Sequence, residues 1–203
     1  PDLVIFRFWM PFMGPCLGTL GRIIRRNKHT KIVAITDNII PHEKRFGDRL
    51  LTSYFLKSCN AFLTMSKAVL NDLKSFDISK PAVFNPHPMY ENFGEHIDKF
   101  EALQKLGLDK DVGYVLFFGF IRKYKGLDTL LKAFCDRRLK EKKLKLIIAG
   151  EYYDSPQEYL KLIEDLELKD SVVLANHYIE DTDVSLYFSA ADLVAQTYKT
   201  ATQ

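Results

Sequence analysis

The residues best suited to bind phosphate lie in one short basic segment, from Gly119 to Gly126. It joins the end of a predicted strand to the start of a predicted helix and contains Arg122, Lys123 and Lys125. Ligands of open parallel sheets bind where strands end, and there the next helix offers backbone N–H groups and the positive end of its dipole. Arg122 can bind a phosphate through two parallel hydrogen bonds, and Lys125 adds a point charge.

Glycines at both ends of this segment fit the same interpretation. Gly119 permits a sharp turn of the backbone, and Gly126 leaves room for a ligand at the start of the helix. The segment has neither the GxxxxGK[ST] pattern of a Walker loop nor a GxGxxG pattern. Its spacing therefore leaves a second interpretation open, an exposed basic turn without a ligand.

A second polar cluster follows an earlier predicted strand. Asp37, Asn38 and His42 share one loop with Glu43, Lys44 and Arg45. Such a loop suits the hydroxyl groups of a substrate, with His42 or Asp37 as a base or an orienting group. The alternative is a capping loop in which Asp37 and Asn38 bind the local backbone. The other histidines have no metal-ligand spacing, so we predict no metal site.

Short β-rich runs alternate with stretches of helical period, which predicts an α/β protein with parallel sheets. Short apolar runs of this kind suit strands that are buried on both faces. The predicted strands are Leu3–Phe8, Lys31–Thr36, Ala61–Met65, Ala82–Asn85, Tyr114–Gly119, Leu144–Gly150, Val172–Ala175 and Leu193–Gln196. The predicted helices are Ser66–Leu73, Asp98–Leu106, Leu127–Phe134 and Gln157–Leu166. A segment rich in proline and glycine, 85–94, predicts a boundary between two α/β units, 1–95 and 96–203.

Composition limits the class of protein. The 203 residues are 47% hydrophobic and 27% charged, which is average for a globular protein and excludes a disordered chain, a collagen and a coiled coil. Three cysteines without a CxxC pair favour a reducing, cytoplasmic compartment. The longest uncharged stretch, 8–21, contains two prolines and is too short to span a membrane.

Positive charge is concentrated near the N-terminus. The cluster comprises Arg22, Arg25, Arg26, Lys28 and Lys31. It is either a solvated helix face or a surface that meets phosphates, from lipid headgroups or from a substrate. No interleaving of aromatic and basic residues supports nucleic-acid binding. The spacing of Gly14, Gly18 and Gly21 fits no phosphate-binding pattern and predicts a packing feature.

Four stretches, in this order and spacing, resemble the retaining glycosyltransferases of family 4, which have the GT-B fold. The donor-phosphate region is similar to YVLFFGFIRKYKGLDTLLKAF at 114–134. The acceptor-side loop and the strand–serine–helix unit after it resemble TDNIIPHEKR at 36–45 and FLTMSKAVLNDL at 62–73. The stretch leading into the donor-sugar motif resembles NHYIEDTDVSLYFSAADLVAQTYKTATQ at 176–203. The resemblance thus covers nearly the whole chain.

This resemblance implies two Rossmann-like domains, with the acceptor on residues 1–95 and a nucleotide-diphosphate sugar on residues 96–203. It implies no cofactor and no metal, because Arg122 and Lys125 match the cationic pair that stabilises the departing diphosphate. Gly150 and Glu151 match the turn beside the nucleotide. The stretch His177, Tyr178 and Ile179 matches the segment that borders the base, although it could equally be a packed strand exit.

The chain departs from the family pattern at two site positions. Asp37 stands where many relatives have histidine, and Thr202 stands where the two-glutamate donor-sugar motif begins. The first strands and the early glycine-rich turn of the family are missing from the sequence. We therefore expect a chain truncated at both ends.

The resemblance predicts a retaining, metal-independent transferase of bacterial surface polysaccharide synthesis that uses a UDP- or GDP-sugar. The basic cluster and exposed aromatics at Phe8–Phe12 suit a lipid-linked acceptor and a peripheral contact with the anionic inner face of the membrane. Three alternatives remain open: a sugar-nucleotide epimerase of the same fold, a non-catalytic sugar-nucleotide-binding subunit, and an α/β protein with a basic turn but no nucleotide affinity.

Overall fold

Strands and helices alternate along the chain, and all strand pairs are parallel. The computed structural model describes residues 1–41, 45–76, 79–90 and 92–199. In this part of the chain, eight strands form two four-stranded sheets. The fold class is therefore confirmed as α/β with two parallel-sheet units, which among the described residues comprise 1–89 and 90–199.

The first unit contains a sheet with the strand order β1-β2-β3-β4. Its strands are β1 (Leu3–Phe8), β2 (Lys31–Thr36), β3 (Ala61–Thr64) and β4 (Ala82–Phe84). Its helices are α1 (Gly14–Ile24), α2 (Asp48–Leu56) and α3 (Lys67–Lys74). Ser66 caps α3 as predicted, because its side chain accepts a hydrogen bond from the Val69 N–H.

The second unit contains a sheet with the strand order β7-β6-β5-β8. Its strands are β5 (Gly113–Phe118), β6 (Leu144–Ala149), β7 (Val172–Ala175) and β8 (Leu193–Val194). Its helices are α4 (Lys99–Lys105), α5 (Leu127–Phe134), α6 (Arg137–Lys140), α7 (Gln157–Asp165) and α8 (Asp181–Ala190). Strands are added in one direction from β5 to β7, and then β8 lies on the other side of β5. The direction in which strands are added therefore reverses at β5, which has β6 on one side and β8 on the other.

The two sheets differ in how their faces are covered. In the second unit, alternate residues of β5 and β6 belong to two separate buried clusters, so both faces of the sheet carry a core. In the first unit, one cluster covers the face that includes Phe8, Ile32 and Phe62. On the opposite face Leu3, Ile5 and Val83 are 50%, 57% and 60% exposed. The expectation of burial on both faces is therefore wrong for β1 and β4, and also for β8, where Leu193 is 62% exposed.

Glycines let helices α1 and α2 approach closely. A Cβ on Gly14 would overlap the carbonyl of Leu51, and one on Gly18 would lie 2.6 Å from the Tyr54 ring. The packing role predicted for the glycine spacing is confirmed. The prediction that Phe8 is exposed is wrong, since its ring stacks on Phe55 at 4.4 Å and is fully buried. None of the described helices is long and apolar enough to cross a membrane.

Candidate functional site

Predicted site residues of the second unit gather at one edge of its sheet, because the carboxyl ends of parallel strands meet there. Gly119 follows β5, Gly150 follows β6, and His177 lies two residues after β7. Between the ends of β5 and β8, where the strand order reverses, lies a cavity of about 260 Å³. Such reversal points are where open α/β sheets bind their ligands. The cavity is lined by Phe117, Phe118, Gly119, Lys125, Phe188, Val194, Ala195, Gln196 and Tyr198.

Two glycines bring the loops after β5 and β6 into backbone contact. Gly119 has φ +91° and Gly150 has φ +142°, conformations that L side chains rarely adopt. A Cβ on Gly150 would overlap the carbonyl oxygen of Gly119. The Gly119 N–H donates to Ala149 at 2.9 Å, and the Gly150 N–H donates to Ala175 at 3.1 Å. Glycine at 119 and 150 is therefore required by the backbone itself.

The three cations of the basic turn have different partners. Lys123 forms an ion pair with Glu158 at 3.1 Å. The Arg122 guanidinium lies over the Tyr153 ring, 3.7 Å from its centroid. The Lys125 ammonium lies near Gly119, within 3.1 Å of where a Cβ would stand. Within the described ranges, no carboxylate lies at ion-pair distance from Arg122 or Lys125, which leaves both charges available to an anion.

Burial and the neighbouring Arg122 charge both lower the pKa of Lys125 below its ordinary value, and burial is the larger cause. A cation is costly to bury without a partner of opposite charge. The Lys125 ammonium is held beside the Arg122 cation, in a half-buried position at the edge of the sheet. An anion bound there would relieve both the desolvation and the repulsion.

The segment after β8 supports the basic turn from behind. The Lys199 N–H donates to the Tyr124 carbonyl at 2.7 Å, and the Thr197 hydroxyl lies 3.1 Å from the Lys125 carbonyl and 2.9 Å from that of Gly126. The Thr197 carbonyl takes the space beside Gly126 that we expected a ligand to use. Gly126 is therefore needed for contact within the chain, at φ +73°.

The other donor-side residues are placed unequally. Glu151 and His177 are exposed at the same edge of the sheet, and Tyr178 is 52% exposed. Ile179 is only 7% exposed and packs in the core with Val184. Any contact of Ile179 with a ligand would therefore come from its backbone.

Asp37, which was predicted to contact an acceptor, lies at the carboxyl end of β2 and is 8% exposed. Its Oδ2 accepts a hydrogen bond from Nε of Arg7 at 2.8 Å, and its Oδ1 is buried without a hydrogen-bond partner among the residues that the structure describes. The carboxylate of Asp37 thus pairs with Arg7 of the neighbouring strand β1. Asn38 is half-buried in the same loop. The predicted site residues His42 and Thr202 lie outside the described residues.

Four residues near these sites were not predicted: Arg7, Tyr153, Thr197 and Tyr198. The Tyr198 ring stacks on that of Tyr124, with centroids 6.0 Å apart. Each of the four is distant in sequence from the residue that it contacts, so no local spacing indicates the pair. The described residues contain no group of three or more His, Cys, Asp or Glu side chains arranged to hold a metal ion.

Solved structures share this fold across nearly the whole chain. Sucrose-phosphate synthase from Thermosynechococcus elongatus aligns with a TM-score of 0.78 at 15% identity, over 100% of this chain and 51% of that one. The Anabaena protein HepE, solved in complex with UDP and glucose, aligns with a TM-score of 0.77 at 17% identity, over 99% of this chain and 54% of that one. The chain thus spans about half the length of these proteins.

Sequence comparison points to the same group of proteins. The alpha-monoglucosyldiacylglycerol synthase of Streptococcus pneumoniae is 30% identical over 105 residues, which are 51% of this chain and 23% of that enzyme. The family model of glycosyl transferases group 1 matches residues 98–200, just over half of the chain and nearly all of the second unit. With its parallel α/β units of GT-B type, the chain belongs to the family of glycosyl transferases group 1.

Proposed function

We propose that this chain takes part in transferring a sugar from a nucleotide-diphosphate donor to a glycan or lipid-linked acceptor, with retention at the anomeric carbon. The observation that carries this proposal is a pair of neighbouring cations, Arg122 and Lys125, neither of which has a carboxylate partner among the described residues. Lys125 lines the cavity at the reversal point of the second sheet. Two adjacent fixed positive charges at such a point are suited to a diphosphate.

UDP is the donor nucleotide that we favour over GDP. HepE, which shares the fold, was solved with UDP and glucose and also with UDP-glucose. In our proposal the diphosphate lies at Arg122 and Lys125. The base lies toward Glu151, His177 and Tyr178, which are exposed at the same edge.

In the proposed reaction, the bond between the sugar and the β-phosphate breaks and negative charge grows on the departing diphosphate. Arg122 and Lys125 stabilise this charge from positions that are fixed before the reaction begins, so little reorganisation is needed. They can do so without a metal ion or a cofactor. Gly119 and Gly150 contribute by holding the two loops close enough for the ammonium of Lys125 to face the cavity.

The first unit is proposed to hold the acceptor. Within the described part of the chain, the buried Oδ1 of Asp37 has no hydrogen-bond partner, and a hydroxyl group of the acceptor could supply one. Arg7 keeps the carboxylate in place through its Nε. Asn38 and His42 belong to the same loop and are proposed to contact the acceptor as well.

A lipid-linked acceptor fits the exposed surface of the first unit. Trp9 is 45% and Phe12 is 83% exposed, and Arg25 and Arg26 are exposed at the end of α1. Apolar and basic side chains together favour peripheral binding to an anionic membrane. The pneumococcal relative is a glycolipid synthase by name, which supports a role in bacterial surface glycolipid or polysaccharide synthesis at the cytoplasmic face of the membrane.

The first experiment is calorimetric titration of UDP, GDP, ADP and CMP into the chain. Arg122→Ala and Lys125→Ala should each weaken binding of the preferred diphosphate by about tenfold or more, since hydrogen bonds to charged groups are worth about 1.5–3 kcal/mol. Lys123→Ala is the matched control, because its charge already pairs with Glu158, and it should change the affinity by less than about threefold. Equal losses for all three variants would contradict the assignment.

Analysis of the products formed from a UDP-sugar and an acceptor separates the alternatives. A transferase releases UDP in proportion to glycosylated acceptor, and NMR of the product shows whether the anomeric configuration is retained. An epimerase would change the sugar while it stays attached to UDP. A non-catalytic subunit would bind the nucleotide and turn over neither donor nor acceptor.

A further inference from the structure

Arg122 is held by an aromatic ring. Its guanidinium carbon lies 3.7 Å from the centroid of the Tyr153 ring, a stacking distance for a cation over a π face. Its neighbour Lys123 is held by a carboxylate, that of Glu158. The same turn therefore contains one cation that is paired with a carboxylate, Lys123, beside one that is held by a ring and keeps its net charge, Arg122.

We infer that Tyr153 is a positioning residue for Arg122, and that it fixes the guanidinium for a diphosphate without neutralising it. This inference rests on the proposed function of the site. A carboxylate would order Arg122 equally well, but it would compete with the phosphate for the same N–H donors. A ring contacts the face of the guanidinium and leaves the N–H groups at its edge free to bind an anion.

Backbone hydrogen bonds join the loop of Tyr153 to the loop of Arg122. The Ile121 N–H donates to the Glu151 carbonyl at 2.8 Å, and the Tyr153 N–H donates back to the Ile121 carbonyl at 3.2 Å. These two bonds join Ile121, the residue before Arg122, to the residues on either side of Tyr152. They form the parallel bridge between Ile121 and Tyr152. The ring is thus attached to the loop that carries the cation.

Tyr153 is also a favourable position for substitution. Its side chain is 62% exposed, so removing the ring creates no cavity in the core. Tyr153→Phe keeps the π face and removes the hydroxyl, whereas Tyr153→Leu removes the π face. A matched control is Tyr54→Leu, since Arg22 stacks over Tyr54 at the same distance of 3.7 Å in the other unit.

The test is a double-mutant cycle of UDP affinity, measured by calorimetry on the full chain. Tyr153→Leu should weaken UDP binding by about two- to fivefold, the value of an exposed cation–π contact, and Tyr153→Phe and Tyr54→Leu should leave it unchanged. In an Arg122→Ala background, Tyr153→Leu should have no further effect. Nuclear magnetic relaxation of the Arg122 Nε–Hε group, measured without ligand, should show a rigid side chain in the wild type and in Tyr153→Phe, and a mobile one in Tyr153→Leu.

Each result decides the matter. If Tyr153→Leu costs as much with Ala at position 122 as with Arg, or if Arg122 stays rigid without the ring, Tyr153 does not position Arg122, while the proposed function stands. If the wild-type chain binds no nucleoside diphosphate, the proposed function fails, and the role of Tyr153 in it fails too. The Arg122 relaxation data still report whether the ring orders the side chain.

Discussion

The chemistry of Lys125 depends on its surroundings. Its ammonium is partly desolvated at the edge of the sheet and lies close to a second cation. Both conditions favour the neutral amine, so the free protein holds this proton less tightly than an ordinary lysine does. A bound diphosphate reverses the balance, because it favours the charged form. Binding and protonation of Lys125 are therefore linked.

This linkage predicts a pH dependence of UDP binding. As the pH rises toward the lowered pKa of Lys125, the neutral form accumulates in the free protein, and binding must recover the proton. The affinity should therefore fall with rising pH and begin to fall below 10.5, the ordinary value. Lys125→Arg should remove this component, because arginine stays charged. Calorimetry of both proteins between pH 7 and about 10 isolates the effect, since titration of the uracil ring is common to both; parallel curves would contradict the prediction.

At this scale, the sequence predicts the cations and misses their partners. Arg122 and Lys125 can be identified from residue type and position after a strand. Tyr153 and Thr197 cannot, because the contact that gives each its role joins separate loops, and Thr197 is 72 residues from Lys125. Ile179 shows the opposite difficulty: its place after a strand suits a binding residue, but its apolar side chain packs inward.

Among the elements, the short strand β8 depends on one carboxylate. Asp192 immediately precedes β8, and its side chain accepts hydrogen bonds from the Tyr114 N–H at 2.8 Å and from the Lys99 ammonium. Its own N–H donates to the Tyr114 carbonyl at 2.8 Å. One residue thus joins α4, β5 and β8, and β8 forms one wall of the candidate cavity.

Asp192→Ala should destabilise the second unit by about 1–3 kcal/mol, because the N–H of buried Tyr114 loses its acceptor. The hydrogen bond from Lys99, and then that from Tyr114, lower the carboxyl pKa in the folded state. The stabilisation is therefore complete above the ordinary value of 3.8 and is lost as the pH falls through the folded value. Urea titrations at several pH values should show a smaller loss of stability in acid for the variant than for the wild type. Identical slopes would contradict the role of this carboxylate.

Elements are predictable where periodicity and an end signal coincide. Helix α5 matches its predicted range, and α3 begins after its predicted cap. Helix α1 was not predicted, because three glycines and a proline give it a low intrinsic helix propensity. The close packing that those glycines allow against α2 compensates for this. Such tertiary stabilisation has no local signature.

At the scale of the whole molecule, the two units differ in how fully the faces of their sheets are covered. In the second unit β5 and β6 are buried on both faces, and the family model matches nearly all of this unit. The first unit leaves Leu3, Ile5 and Val83 exposed on one face. Parallel sheets are normally covered on both faces. An apolar face that is left in water makes the first unit less stable than one whose sheet is covered on both faces.

This difference predicts that residues 90–203, expressed alone, fold and keep the nucleotide affinity of the full chain within about threefold. Residues 1–89 alone should expose apolar surface, bind a hydrophobic dye and self-associate. Circular dichroism, dye fluorescence and UDP calorimetry on both pieces check this. If residues 90–203 fold but bind no nucleotide, the donor site needs the first unit as well.

The contacts of Thr197 and Lys199 with the basic turn have a consequence for local opening. The amides of Lys199 and Gly126 both lie in hydrogen bonds of this small region, so they can exchange with solvent deuterium only when their bonds break. Because the segment after β8 and the basic turn are joined by these hydrogen bonds, we expect both to open in one cooperative step. The exchange of both amides would then slow together when a nucleotide binds, including that of Lys199, which lies in the segment behind the turn.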